Sequence, residues 1–164
     1  MDYDKLFDDA LNCVLKGYSD NKIRFFSESD LQGHLFYECR RQMEERGFPT
    51  PFKLYSEKSV FSKHVKVDLV LGDDEILVEL KLEPDYPGVS KPVVFTTGTG
   101  SIESDLKKIQ EYTSKGKRAH FVMIDEDGQH ARRILTGEWK PIHVKLNGPK
   151  RLSHYLHVKQ DKRR

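Results

Sequence analysis

The stretch that decides the fold is His64–Glu83, which reads HVKVDLVLGDDEILVELKLE. Two runs rich in valine, leucine and isoleucine flank Gly72-Asp73-Asp74, a turn signal between two strands. The stretch therefore predicts a β-hairpin. Its density of apolar residues is typical of central strands that are covered on both faces of a sheet.

The register of this hairpin sorts its residues onto two different faces. A turn centred between Asp73 and Asp74 places Asp68 directly opposite Glu79, with Lys81 two residues further along the second strand. Side chains alternate along a strand, so one face is predicted to be wholly apolar. That face holds Val65, Val67, Leu69, Leu71, Ile76, Val78, Leu80 and Leu82.

Two opposed carboxylates in the middle of a hairpin are unfavourable without a partner. Directly opposed Cβ atoms lie about 5 Å apart, and like charges at that distance repel. A Mg²⁺ ion that binds Asp68 and Glu79 through oxygens at about 2.1 Å would remove the conflict. Lys81 would then bind the scissile phosphate, or help to position and deprotonate the attacking water. The alternative is a solvated outer face, on which Lys66 and Lys81 simply neutralise the two acids.

The rest of the chain predicts helices and strands around this hairpin. Ser27-Glu28-Ser29-Asp30 matches the capping box that begins a helix, and Gly47 supplies its stop. Apolar periodicity and turn residues give the other elements. In chain order they are helices over 4–18 and 27–46, a strand over 52–61, the hairpin, a loop over 84–100 with a short strand at 93–95, a helix over 102–114, and strands over 119–124 and 141–146.

This order predicts an α/β fold in a single domain of 164 residues. We expect a mixed β-sheet of four to five strands flanked by helices, since a hairpin meander is followed by a β-α-β crossover. The core is predicted at about 27–146, with an N-terminal helix at 2–18 and a basic C-terminal tail at 147–164.

Composition narrows the class of protein. Hydrophobic residues make up 37% and charged residues 33%, and no apolar run approaches the roughly 20 residues that span a bilayer. The acidic N-terminus lacks the order of a signal peptide, so we expect a cytoplasmic protein without a membrane partner. Cys13 and Cys39 fall on apolar helical stripes, which favours buried free thiols over a disulfide or a metal site.

Charge is distributed unevenly. Residues 145–164 hold seven Lys/Arg against Asp161 and carry +6, so the rest carries −4 of the net +2. Such a tail favours nucleic acid as a partner, and a solvated C-terminus is the alternative. The candidate phosphate contacts are Lys150, Arg151, Lys159, Lys162, Arg163 and Arg164.

The hairpin motif resembles a known group, the PD-(D/E)xK nuclease superfamily, which includes type II restriction enzymes and archaeal Holliday-junction resolvases. The family pattern, an acid on one strand and (D/E)-x-K on the next, stands here as Val67-Asp68 and Glu79-Leu80-Lys81. Its αβββαβ core matches the element order from Ser27 to Ile124. Val67 replaces the proline of the family motif, and this position is variable in the family.

The resemblance implies a role for each matching residue. Asp68 and Glu79 would bind the metal together with the backbone carbonyl of Leu80, and Lys81 would be the catalytic lysine. Glu28 matches a glutamate that many members carry on the first core helix. Glu57 resembles an acid of the first core strand and would be a further metal ligand.

The expected function is therefore that of an endonuclease. It would use Mg²⁺ or Mn²⁺ to hydrolyse DNA phosphodiester bonds in restriction, repair, recombination or a mobile element, with RNA left open as a substrate. Cutting both strands with one site per chain would favour a homodimer. The alternative is a catalytically inactive nucleic-acid-binding or assembly module on the same fold.

Overall fold

The computed structural model describes residues 2–48, 53–62, 65–84, 101–132, 139–145 and 151–161. They form one α/β domain in which helices cover a mixed six-stranded sheet, as the predicted class requires. The elements are α1 (Tyr3–Ser19), α2 (Glu28–Glu45), β1 (Leu54–Ser62), β2 (Val65–Leu71), β3 (Ile76–Glu83), α3 (Ile102–Ser114), β4 (Arg118–Asp125), β5 (Trp139–Val144) and β6 (Arg151–Gln160).

Local chemistry explains where the first two helices begin. The Asp2 side chain accepts a hydrogen bond from the backbone N–H of Lys5 at 3.0 Å and caps α1. At α2 the predicted cap is confirmed, because the Ser27 hydroxyl accepts a hydrogen bond from the Asp30 backbone N–H at 3.2 Å. The Asp30 carboxylate in turn accepts one from the N–H of Phe26. Each cap therefore satisfies backbone donors that the first helical turn leaves unpaired.

The sheet has the strand order β1-β2-β3-β4-β6-β5, with β3 and β4 parallel and the other neighbours antiparallel. In the β2–β3 hairpin Val70 pairs with Leu77 and Leu71 with Ile76, so the predicted register is confirmed next to the turn. The ladder ends at Leu69–Val78 and does not include the predicted Asp68–Glu79 pair. Gly72 and Asp74 both have positive φ in the turn, a conformation that glycine and aspartate tolerate.

Two hydrophobic clusters cover the two faces of the sheet. The first packs α1 and α2 against Leu69, Val78 and other residues of the predicted apolar face. The second packs α3 against Val70, Leu77 and Phe121. Strand β3 is buried from Ile76 to Leu82, as expected of a central strand, so any charge on it lies in the interior.

Strand β2 departs from the predicted alternation at its beginning. Val67 packs in the α3 cluster although Leu69 packs on the other side, and Val65 is exposed. The pairing of β1 with β2 skips Glu57 and Asp68, and Glu57 has φ +54. The two strands stay in step across this gap, because Ser56 pairs with Leu69 and Lys58 with Val67. The change of face at Asp68 is therefore not caused by an inserted residue, and the sequence pattern does not reveal it.

The C-terminal segment is not the solvated tail that its charge suggested as one alternative. Arg151–Gln160 form β6, which lies between β4 and β5 and raises the strand count to six. Leu156 and Ser153 are fully buried in it. The sequence prediction gave weight to the positive charges and overlooked a run of β-forming residues, Tyr155-Leu156-His157-Val158. The strand that contains this run pairs with β4 and β5.

Three smaller expectations have different outcomes. Cys39 is a buried free thiol as predicted, but Cys13 is exposed, because it lies at the edge of the apolar stripe of α1. The predicted strand at 93–95 and the loop from residue 85 onwards fall outside the described residues. None of the described helices is long and apolar enough to span a membrane.

Candidate active site

Asp68 lies where the two strands of the hairpin separate. The β2–β3 ladder stops at the Leu69–Val78 pair, and beyond it the Asp68 side chain accepts a hydrogen bond from the Leu80 backbone N–H at 2.6 Å. The carboxylate thus takes the place of a backbone carbonyl of the ladder. The Asp68 carbonyl instead accepts a hydrogen bond from Gln32 of α2 at 2.8 Å.

The environment of Asp68 changes its acidity. Burial and the nearby charge of Glu79 raise the pKa of Asp68 to about 7, against the opposing hydrogen bond from Leu80. Glu28 adds to the rise, and Lys81 reduces it. Near neutral pH this carboxyl is therefore divided between its protonated and ionised forms.

Glu79 is enclosed between β3 and α3, with 2% of its surface exposed. Its Oε1 accepts a hydrogen bond from the Tyr112 hydroxyl at 2.6 Å, and its Oε2 accepts one from Lys108 Nζ at 2.9 Å. Burial raises the pKa of Glu79, and these two partners offset that effect only in part. The site thus contains two neighbouring carboxyl groups that both resist ionisation.

Lys81 places a buried ammonium group beside these acids. Its Nζ lies 3.0 Å from Asp105 Oδ2, 3.1 Å from Glu28 Oε2 and 3.1 Å from the carbonyl oxygen of Leu80. Burial alone would lower the pKa of Lys81, but the charges of Asp105 and Glu28 more than compensate and raise it. Lys81 is therefore a cation near neutral pH.

Asp105 connects the two lysines of the site. Its Oδ1 lies 2.6 Å from Lys108 Nζ, and its Oδ2 lies 3.0 Å from Lys81 Nζ. These are close ion pairs whose angles differ from those of hydrogen bonds. Asp105 is fully buried and Lys81 nearly so, which shields their pair from water, whereas the Lys108 side chain is 30% exposed. A chain of alternating charge runs from Glu28 through Lys81, Asp105 and Lys108 to Glu79.

The structure brings together most of the residues that the sequence pointed to. Asp68, Glu79, Lys81 and Glu28 meet where β2, β3 and the beginning of α2 converge, beside the Leu80 carbonyl. Glu57 is half-exposed, and its carboxylate lies 3.3 Å from Gln32 Nε2 and 3.6 Å from Lys66 Nζ. It approaches the site only through Gln32.

Three site residues on α3 were missed by the sequence reasoning, namely Asp105, Lys108 and Tyr112. A signal for Asp105 was present, because it lies three residues after Ile102 and four before Ile109, both of which are buried. An aspartate on the inward stripe of an amphipathic helix must find a partner inside the fold.

The donor set of the site suits a hard divalent cation. Carboxylate and carbonyl oxygens are the ligands that Mg²⁺ prefers, and it usually keeps several waters besides one or two carboxylates. Among the described residues, the four acids near the site, Glu28, Asp68, Glu79 and Asp105, outnumber the two lysines there. Asp68 and Glu79 therefore fit a two-carboxylate site, although they do not form a group of three close protein ligands within the described residues.

The basic residues of the C-terminal segment have partners within the chain where they are described. Arg151 lies 3.0 Å from Glu126, and Lys159 lies 2.7 Å from Asp4 and 3.2 Å from Asp8. Lys150, Lys162, Arg163 and Arg164, the other predicted phosphate contacts, lie outside the described residues.

Comparison with known proteins identifies no relative of this chain. No family model, no curated protein and no solved structure matches it. The site geometry and the sequence motif are therefore the basis for a functional hypothesis.

Proposed function

We propose that this protein is a metal-dependent nuclease that hydrolyses DNA phosphodiester bonds at the site of Asp68, Glu79 and Lys81. The observation that carries the proposal is the cluster of half-buried Asp68 and buried Glu79, two carboxyl groups with raised pKa values, beside the buried ammonium group of Lys81. Perturbed acids that cluster with a charged partner are typical of functional sites. The D…ExK motif on adjacent strands supports the same hypothesis.

Asp68 and Glu79 would hold Mg²⁺ or Mn²⁺, with the Leu80 carbonyl as a further oxygen donor. Such an ion, when bound, activates water and polarises a phosphoryl oxygen. The protein supplies the positions of the acids: the Leu80 N–H orients Asp68, while Tyr112 and Lys108 orient Glu79.

Lys81 would stabilise the negative charge of the scissile phosphate. A raised pKa keeps the Lys81 amine protonated, and an ammonium group cannot accept a proton, so the electrostatic role is favoured over that of a general base. Glu28 is the more exposed of its two carboxylate partners, at 41% of the side chain against 0% for Asp105. A substrate phosphate would displace Glu28 and leave Asp105 to hold the lysine in place.

The decisive experiment is a cleavage assay with Mg²⁺ or Mn²⁺ on linear, branched and single-stranded DNA and on RNA. Lys81→Met and Asp68→Asn should each reduce cleavage by about 10³-fold or more, because the first removes a positive charge beside the reacting phosphate and the second removes a charged metal ligand. Lys66→Met is the matched control, since Lys66 is an exposed lysine of the same strand pair. Cleavage that persists in both site variants would contradict the proposal.

One observation favours a second candidate, a non-catalytic nucleic-acid-binding or assembly module. Both oxygens of Glu79 already have partners, and Lys81 is held by Asp105, so the network could serve only to fasten α3 to the sheet. DNA binding without cleavage under every metal condition would favour this module. If the wild-type protein bound neither DNA nor RNA and cleaved neither, both candidate functions would be excluded.

A further inference from the structure

A second polar cluster lies on the opposite face of the sheet, beneath α1. His120 of β4 and His157 of β6 are diagonal neighbours, because Val122 pairs with His157 and His120 with Lys159. His120 is fully buried, and its Nδ1 lies 2.9 Å from His157 Nε2. The first turns of α1 bring Asp4 and Asp8 to the same place.

We propose that Asp8, His120 and His157 form a binding site for a divalent transition-metal ion of the Zn²⁺ class. One ligand atom of each residue lies within 4.8 Å of those of the other two. Two imidazole nitrogens and one carboxylate are a donor set that Zn²⁺ and similar first-row ions take in proteins. This site is separate from the candidate active site and does not depend on the proposed nuclease function.

The distance between the two nitrogens suits a shared ion. Ligands about 2.05 Å from a metal and about 90° apart are separated by roughly 2.9 Å, and a tetrahedral angle needs about 3.3 Å. The observed 2.9 Å falls at the lower end of this range. The imidazole rings are 29° from parallel, with centroids 5.1 Å apart, so a small rotation would direct both nitrogens to one ion.

The Asp4 carboxylate contacts the ring nitrogen of His120 that does not face His157. Asp4 Oδ1 lies 2.7 Å from His120 Nε2, which leaves Nδ1 directed toward His157. Metal-binding histidines usually donate their other ring N–H to a carboxylate, a carbonyl or water, and this contact fixes the tautomer. Asp4 is itself held by Lys159 at 2.7 Å, and Arg118 lies 3.5 Å away but pairs more closely with Glu75.

A route for the ion and space for water lie next to the cluster. A cavity of about 270 Å³ is lined by Leu11 and by six residues with polar groups, Asp8, Asn12, Lys140, Tyr155, His157 and Lys159. Two of the proposed ligands therefore face a polar space, while His120 closes the site from the core. Water in this cavity would complete the coordination shell of the ion.

The competing explanation is a hydrogen-bonded chain, Asp4–His120–His157, that only supports the packing of α1 on the sheet. Lys159 would then be the cation of the cluster, at 3.2 Å from Asp8. The two explanations differ in whether the cluster binds an added ion.

The test is a Zn²⁺ titration of the untagged full chain, with excess Mg²⁺ present to occupy the carboxylate site. We expect one Zn²⁺ per chain, with affinity reduced about tenfold or more in His157→Gln and Asp8→Asn. His143→Gln and Asp9→Asn are matched controls, an exposed histidine of β5 and the neighbouring aspartate of α1. Equal affinity in the site variants and the controls would overturn the proposal.

A second measurement does not depend on any variant. Imidazole ¹⁵N chemical shifts of the wild-type protein should change on Zn²⁺ addition at His120 Nδ1 and His157 Nε2. Changes confined to other histidines, or no change at all, would also overturn the proposal.

Discussion

On the α3 side of the sheet, buried carboxylates are balanced by lysine ammonium groups, whereas on the α1 side buried imidazoles are supported by aspartates. Lysines 81 and 108 carry their charge at all ordinary pH values. Burial and the neighbouring His120 lower the pKa of His157 to about 4, so its imidazole is neutral at ordinary pH and can lie 2.9 Å from the ring of His120. One sheet thus presents hard oxygen donors on one face and nitrogen donors on the other.

Under the two proposals, this difference would place different ions on the two faces. Oxygen donors suit Mg²⁺ and Mn²⁺, while imidazole favours Zn²⁺ and its neighbours. Substitutions on the α3 side should also cost more free energy of unfolding, since removing a partner from a buried ion pair leaves charge less well compensated. The following experiments would break or sharpen the comparison.

The largest effect is expected for Asp105→Ala. The substitution removes the shared buried partner of Lys81 and Lys108, which retain Glu28 and Glu79 respectively. The free energy of unfolding should therefore fall by about 3 kcal/mol, the lower end of the cost of breaking a buried ion pair. Urea denaturation measures it. Glu103→Ala is the control, because its ion pair with Lys107 is exposed and should cost less than about 1 kcal/mol. Equal losses would show that the α3 cluster does not depend on buried charge.

The second effect concerns the pH dependence of stability through Asp68. Its pKa is raised in the folded protein to about 7, so the folded chain keeps a proton that the unfolded chain releases above its ordinary pKa of 3.8. The free energy of unfolding should therefore fall as pH rises from about 4 to 7 and level off above 7. Asp68→Asn removes this dependence and should be more stable by about 1–3 kcal/mol at pH 8 without metal.

Denaturation of both proteins at pH 5 and pH 8 in the presence of a chelator would check this prediction. Asp161→Asn, which changes an exposed aspartate, serves as the control. A stability difference that does not change between the two pH values would mean that Asp68 ionises normally.

The third effect is a reciprocal change in metal affinity. Asp68→Asn should weaken Mg²⁺ binding by about tenfold or more and leave Zn²⁺ binding unchanged, while His157→Gln should do the reverse. Calorimetric titration of each variant with Mg²⁺ and with Zn²⁺ measures both binding affinities. If one substitution weakened the binding of Mg²⁺ and of Zn²⁺ equally, the two faces would not hold independent metal sites.

The smallest effect is expected at the C-terminus. Because β6 ends at Gln160, a deletion from residue 150 would remove a strand of the sheet, so substitution of Lys162, Arg163 and Arg164 by glutamine is the cleaner change. If these residues contact DNA phosphates, the slope of log affinity against log salt should decrease by up to about 3. An unchanged slope would show that the basic C-terminus does not contact DNA.

The sequence by itself determined the features that depend on neighbouring residues. The turn at Gly72-Asp73-Asp74 and the two-residue period set the hairpin register, and Ser27 set the beginning of α2. Asp68, Glu79 and Lys81 were therefore placed correctly on adjacent strands, and Glu28 at the end of a helix that meets them. These features follow from backbone geometry and capping, which act over a few residues.

Only the tertiary structure decided which distant groups share a site. Asp105 reaches Lys81 because α3 packs on β3, and His120 meets His157 because β6 pairs with β4 rather than forming a tail. Glu57 was a further candidate ligand, and in the structure it is half-exposed, has a positive φ and lies 3.3 Å from Gln32 Nε2. Such contacts depend on long-range packing and on the cost of burying charge, which no local pattern encodes.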